Sequence, residues 1–126
     1  MDDLPRNRFD PIFPVTDIGR TTQHYTALGF QVLAHDDTYA FAVWPGVGCI
    51  HLSRVESPND YDGKVMAAAT YLHVDDAAAL ARSWKQACPG ADTRDPVDTD
   101  YGLHEGAHLD LDNNLVRFGS PMATKP

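Results

Sequence analysis

Apolar and polar positions follow one plan twice along this chain. Asp10 to Val15 (DPIFPV) is a short apolar run carrying two prolines, the composition of an edge or crossing strand. Asp17 then reads as an N-cap. Ile18, Thr21, Thr22, Tyr25 and Leu28 recur at helical spacing, and Gly29 supplies the stop. Three strand-like runs follow, Phe30–His35, Tyr39–Trp44 and Cys49–Arg54. The turns between them are Asp36-Asp37 and Pro45-Gly46-Val47-Gly48.

A polar stretch from Val55 to Lys64 (VESPNDYDGK) reads as a linker, and the plan then restarts. Ala67–Val74 is strand-like, and Asp75-Asp76 offers an N-cap. Leu80, Ala81, Trp84 and Ala87 form an apolar helical stripe that ends at Pro89-Gly90. Strand-like runs close the half at Ala91–Val97, His104–Leu109 and Leu115–Phe118. The last two are joined across Asp110-Leu111-Asp112-Asn113-Asn114. Val15-x-Asp17 recurs 59 residues later as Val74-x-Asp76, and the same offset places Tyr25 on Trp84 and Leu28 on Ala87. The pattern predicts an α+β fold of two βαβββ repeats forming one cupped mixed sheet from both halves, since neither half can cover its own face alone. Residues 1–126 form a single domain in this reading, with repeats at about 8–54 and 67–119 and a linker at 55–66.

Composition narrows the function by exclusion. The 126 residues carry 10 Lys and Arg against 18 Asp and Glu, a formal net charge of -8. That balance argues against nucleic acid, whose phosphates are bound by displacing counterions with basic residues. It suits a neutral or cationic small molecule. No apolar run is long enough for a membrane span, and the start of the chain, MDDLPRNR, lacks the apolar region of a signal peptide. Cys49 and Cys88 have no metal spacing and read as buried free thiols of a cytoplasmic protein.

Two stretches resemble a known superfamily. Pro14-Val15-Thr16-Asp17 followed by His24-Tyr25-Thr26-Ala27-Leu28-Gly29-Phe30 is similar to the opening "PV.D…FY…LGF" of the vicinal oxygen chelate superfamily. Tyr101 to Gly119 (YGLHEGAHLDLDNNLVRFG) resembles the pattern "(W/Y)G.RE….DPDGN..RFG" of its bleomycin-resistance branch. His104 replaces Arg there, Leu111 replaces Pro and Asn113 replaces Gly. Asn tolerates the left-handed backbone that Gly would adopt, so the turn is expected to survive.

The resemblance implies roles residue by residue. Enzymes of the superfamily hold a divalent metal at positions that fall here on Asp10, His51, Ala69 and Arg117. Alanine offers no donor atom and arginine is a fixed cation, so no metal cofactor is expected. The bleomycin-resistance branch binds its drug without chemistry, in grooves of a homodimer that exchanges its first strand around a proline aligned with Pro11. A strand-swapped dimer is therefore implied. Tyr39 falls where these proteins stack an aromatic on the ligand, and Tyr101 where they often carry Trp.

Strand parity adds Phe41 beside Tyr39, and puts Tyr71 and His73 on one face, with His73 expected near His51 if that face is the cup. His104 and His108 share a face but lie ~13 Å apart, too far to chelate one ion. His104 completes the candidate ligand-binding set; His108 reads as solvent-facing or cup-lining. Tyr25, Phe30 and Trp84 are assigned to packing. Asp60, Asp62, Asp98 and Asp100 are acidic loop positions able to attract a cation, with a solvated loop as the alternative. No nucleophile–base pair or G-x-S-x-G is present. The function expected is sequestration of a bleomycin-type aromatic, cationic drug. The alternatives are a metal-dependent glyoxalase- or dioxygenase-like enzyme and a metal-free binder of a small metabolite.

Overall fold

Helix α1 (Ile18–Leu28) begins and ends where its punctuation dictates. The Asp17 carboxylate accepts from the Arg20 N–H at 2.9 Å, and Gly29 turns the chain at φ 110°, a conformation open to a residue without Cβ. A computed structural model describes residues 3–57 and 67–122. Strand β1 (Ile12–Val15) precedes α1, and β2 (Gln31–Ala34), β3 (Tyr39–Trp44) and β4 (Gly48–Arg54) follow it. The second half repeats the order with β5 (Ala69–His73), α2 (Ala77–Ala87), β6 (Asp92–Asp98), β7 (Leu103–Leu109) and β8 (Leu115–Pro121). Asp76 caps α2 by accepting from the Ala79 N–H at 3.0 Å. Asn113 takes φ 64°, as its turn requires. Among the described residues no helix is long and apolar enough to cross a membrane.

The repeats have identical topology. Strand orders are β1-β4-β3-β2 and β5-β8-β7-β6, with the first pair of each parallel and the rest antiparallel. The single sheet expected from both halves is realised as two four-stranded sheets. The halves join instead through one apolar core that includes Phe13, Tyr25 and Leu52 from the first and Leu72, Trp84 and Phe118 from the second. Polar ties reinforce it: the Trp84 indole donates to the Leu28 carbonyl at 2.9 Å, and the Tyr25 hydroxyl donates to Asp110 at 2.8 Å. Strand β1 lies beside its own β4, and the Pro11 carbonyl accepts from the His51 N–H at 2.9 Å.

Core register fixes which side chains face away from the helices. Ala40, Ala42, Ile50 and Leu52 point inward on the first sheet, as do Leu72, Val116 and Phe118 on the second. Alternation therefore sends Tyr39, Phe41, Cys49 and His51 to the outer face of one sheet, and Tyr71, His73, Glu105 and Arg117 to that of the other.

His108 departs from its expected place. It is fully buried, its Nε2 lies 2.8 Å from Nε2 of His24 on α1, and its Nδ1 lies 2.7 Å from the Thr93 hydroxyl. Apolar neighbours on the same side of β8 draw this side of β7 into the core. Burial, then the adjacent His24, push the His108 imidazole down to about 4.

Candidate functional site

On the first outer face, Tyr39 and His51 stand on neighbouring strands with Phe41 directly across from His51. The Tyr39 hydroxyl and His51 Nδ1 are 2.7 Å apart, and His51 Nε2 lies 3.0 Å from Asp10. With Nε2 protonated, one neutral tautomer serves both bonds: Nε2–H donates to the carboxylate and Nδ1 accepts from the phenol. Arg8 donates to both Asp10 oxygens, Nε at 2.8 Å and Nη2 at 3.0 Å. Burial alone would raise the Asp10 carboxyl, but the bonds from Arg8 and His51 outweigh it and hold it below its ordinary value. Burial above all raises the Tyr39 hydroxyl, with the nearby Asp10 carboxylate adding to it, so it stays a protonated donor. The rings of Tyr39, Phe41 and His51 meet at 4.9 to 5.6 Å in edge contacts. Leu4 covers one flank, buried against Val43 and Cys49 beside Phe41.

The second outer face is built around a carboxylate that strand parity did not single out. Glu105 accepts from the Tyr71 hydroxyl at 2.9 Å and from the Tyr101 hydroxyl at 2.7 and 2.9 Å, and Arg117 Nε lies 3.6 Å away. Its bond from Tyr101, against some desolvation, holds it below its usual carboxylate range. Desolvation and Glu105 push the Tyr71 hydroxyl up to about 12. A Cβ at position 119 would collide with the Tyr71 hydroxyl, so Gly119 makes the room that this ring uses. Tyr71 and His73 pack ring to ring at 4.7 Å. Tyr101 is 65% exposed as a residue, which leaves ring surface able to meet another flat group.

Six of the seven expected residues thus fall into two clusters, Tyr39, Phe41 and His51 on one sheet and Tyr71, His73 and Tyr101 with the other. His51 and His73 share no hydrogen bond or ring contact; each packs within its own cluster. His104 belongs to neither. It is paired across β8 with Ser120, whose hydroxyl faces the start of α2, and its Nδ1 lies 2.8 Å from Asp98. Alternation along β7 places it on the face opposite Glu105. Asp98 is engaged by His104, and Asp100 is exposed in the turn before Tyr101. Asp60 and Asp62 lie outside the described residues. Arg8 and Leu4 also join the site unannounced, because their segment has no periodicity to read.

Between the halves lies a cavity of about 150 Å³ whose lining includes Phe9, Pro11 and Cys49 of the first and Thr70, Tyr71 and Leu72 of the second. Metal chemistry fits poorly. Asp10, Cys49 and His51 bring donor atoms within 4.8 Å of one another, but the Arg8 guanidinium holds both oxygens of Asp10. Burial, then Asp10, push the Cys49 thiol up to about 11, which keeps it neutral. Ala69 and Arg117, the other two positions where the resemblance implies ligands, offer no donor atom and a fixed cation.

Paired βαβββ units define the fold class, and solved structures share it. A bleomycin resistance determinant encoded on the transposon Tn5 superposes with a TM-score of 0.76 at 19% identity, covering 93% of this chain and 99% of that one. The bleomycin-binding protein of Streptomyces verticillus, solved with copper(II)-bleomycin, gives 0.69 at 21% identity, covering 96% and 100%. A glyoxalase-related enzyme from Clostridium phytofermentans gives 0.72 at 18% identity, covering 94% and 97%. These likenesses establish the fold. No family model matches the sequence, and no curated protein is similar to it.

Proposed function

We propose that this chain is an antibiotic-binding protein of the bleomycin-resistance type within the vicinal oxygen chelate superfamily, acting in the cytoplasm by sequestration without chemical change. The observation that carries this reading is the pairing, on both outer faces, of a hydrogen-bonded carboxylate with aromatic side chains. Asp10 stands with Tyr39 and Phe41, and Glu105 with Tyr71 and Tyr101. Flat rings meet aromatic faces, and a cationic tail meets a carboxylate. Tyr39 and Tyr71 have raised hydroxyls, so both donate hydrogen bonds and neither acts as a nucleophile at neutral pH. The active form in this reading is a homodimer that exchanges its N-terminal segment around Pro11 and brings faces of two chains into one groove, with no cofactor, nucleic acid or membrane involved.

The cavity between the halves supports a second reading. At about 150 Å³ it is smaller than the 300 Å³ or so that drug-sized ligands occupy, and it suits a small metabolite. Thermal unfolding of EDTA-dialysed protein, with and without metal-free or copper-loaded bleomycin, separates the two. Drug at 100 times its dissociation constant stabilises by about 2.7 kcal/mol, which at about 4 °C per kcal/mol gives a shift near 10 °C. No shift with either form would favour the metabolite, and unfolding at lower temperature after EDTA alone would favour a metal enzyme.

A further inference from the structure

The segment before β1 is held on the first outer face although it forms neither helix nor strand. Leu4 is 8% exposed, and Arg8 folds back so that its Nη1 donates to the Pro5 carbonyl at 2.9 Å. The same guanidinium presents Nε and Nη2 to the two oxygens of Asp10, the paired geometry of a planar cation bound to a carboxylate. Asp10 is well placed to receive such a group: its side chain is 13% exposed, His51 Nε2 orients it from behind, and Tyr39 in turn fixes His51. The rings of Tyr39 and Phe41 both pack against His51, the residue that holds Asp10.

Arg8 resembles an occupant more than a fixture. It remains 23% exposed, it comes from an irregular segment, and the next residue, Phe9, is fully exposed at 101%. The guanidinium is itself partly exposed, so a competing cation can approach the carboxylate as Arg8 swings away. A guanidinium held there by its own chain reports the chemistry that the carboxylate selects.

We propose that Asp10, backed by His51 and Tyr39, is a subsite for a planar amidinium or guanidinium group carried on an aromatic ligand, and that Arg8 fills it in the free protein. The idea rests on the binding function proposed above and assigns the chemistry of one end of the ligand. Arg8 then acts as an internal competitor: a weak cation fails to displace it, while a cation whose ring also packs on Tyr39 and Phe41 succeeds.

The test uses benzamidine, an aromatic amidinium, titrated into the full chain and followed by the NMR signals of Tyr39 and His51. If Arg8 holds the subsite about nine-tenths of the time, Arg8→Ala binds benzamidine about tenfold more tightly than the wild type. Arg8→Lys, which keeps charge but loses the fork, falls between them. Asp10→Asn abolishes the binding in either background, with melting temperatures confirming that each variant is folded. Equal affinity in wild type and Arg8→Ala, no binding by Arg8→Ala, or binding that survives Asp10→Asn would each overturn the proposal. Parallel melts with bleomycin keep the two ideas apart. A drug shift without the benzamidine effect leaves sequestration standing and removes the subsite. The benzamidine effect without a drug shift keeps the subsite and removes bleomycin as the ligand.

Discussion

The two outer faces use the same parts in different arrangements. Each has a carboxylate, an arginine and at least one tyrosine hydroxyl, yet a guanidinium fork grips the first carboxylate while tyrosine hydroxyls hold the second. On the first face Arg8 grips Asp10 with both nitrogens, and Leu4 seals a flank. On the second, Arg117 stands 3.6 Å from Glu105 with its own side chain 49% exposed, and the Tyr101 ring projects outward. The difference teaches that duplicated topology does not duplicate chemistry. A face is tuned by whichever irregular segment crosses it, the chain before β1 in one half and the turn before β7 in the other.

The comparison presumes that the halves keep a fixed relation, and the buried His24–His108 pair is where that relation breaks with the largest effect. Desolvation lowers both imidazoles in the folded state, against weaker pulls from Asp110 on His24 and Asp92 on His108. The unfolded chain therefore takes up protons first. Stability is complete above the ordinary histidine value of 6.5 and falls as pH drops toward about 4. Over that window His108 alone removes about 3 kcal/mol, because each tenfold rise in proton activity there favours the unfolded chain by about 1.4 kcal/mol. Melting temperature against pH should show this slope, and His108→Gln should flatten it. A wild-type protein equally stable at pH 4.5 and 7 would contradict the assignment.

Glu105→Gln comes next in size. Hydrogen bonds to a charged group are worth about 2 kcal/mol, so this change should weaken a cationic drug some thirtyfold. Asp10→Asn should weaken it less, because in the free protein Arg8 already satisfies that carboxylate. Equal losses in the two variants would erase the distinction between the arginine-held and the tyrosine-held carboxylate. Tyr101→Ala should reduce drug affinity by about 1–3 kcal/mol, the range for stacking on an aromatic side chain. An unchanged calorimetric affinity removes Tyr101 from the site. The smallest effect belongs to Tyr39→Phe, which keeps the ring and deletes one hydrogen bond. About 1 kcal/mol of stability is expected from urea unfolding.

Much of this fold is legible in local sequence. Asp17, Gly29 and Asp76 mark helix ends by chemistry that acts within four residues, and Asn113 declares its turn by tolerating a positive φ. The site is half legible. Strand parity groups Tyr71 with His73 and Tyr39 with Phe41, because alternation is local. It cannot say which side of β7 faces the core. That side is chosen by Phe118 on the neighbouring strand, whose ring a Cβ at Gly106 would strike. Hence Glu105 takes the position given to His104, and His108 goes inside to meet a partner 84 residues away. Arg8 escapes notice for a different reason: its partner is close, but nothing periodic marks its segment. The meeting of both halves in one core, without a shared sheet, depends on helix packing that no short window contains.

Calorimetric titration of EDTA-treated protein with metal-free bleomycin, followed by mass analysis of the recovered drug, tests the central claim most directly. The account predicts saturable binding, lost affinity in Glu105→Gln, and drug returned at unchanged mass. A drug returned with altered mass, or no heat of binding at any concentration reached, would contradict sequestration by these two faces.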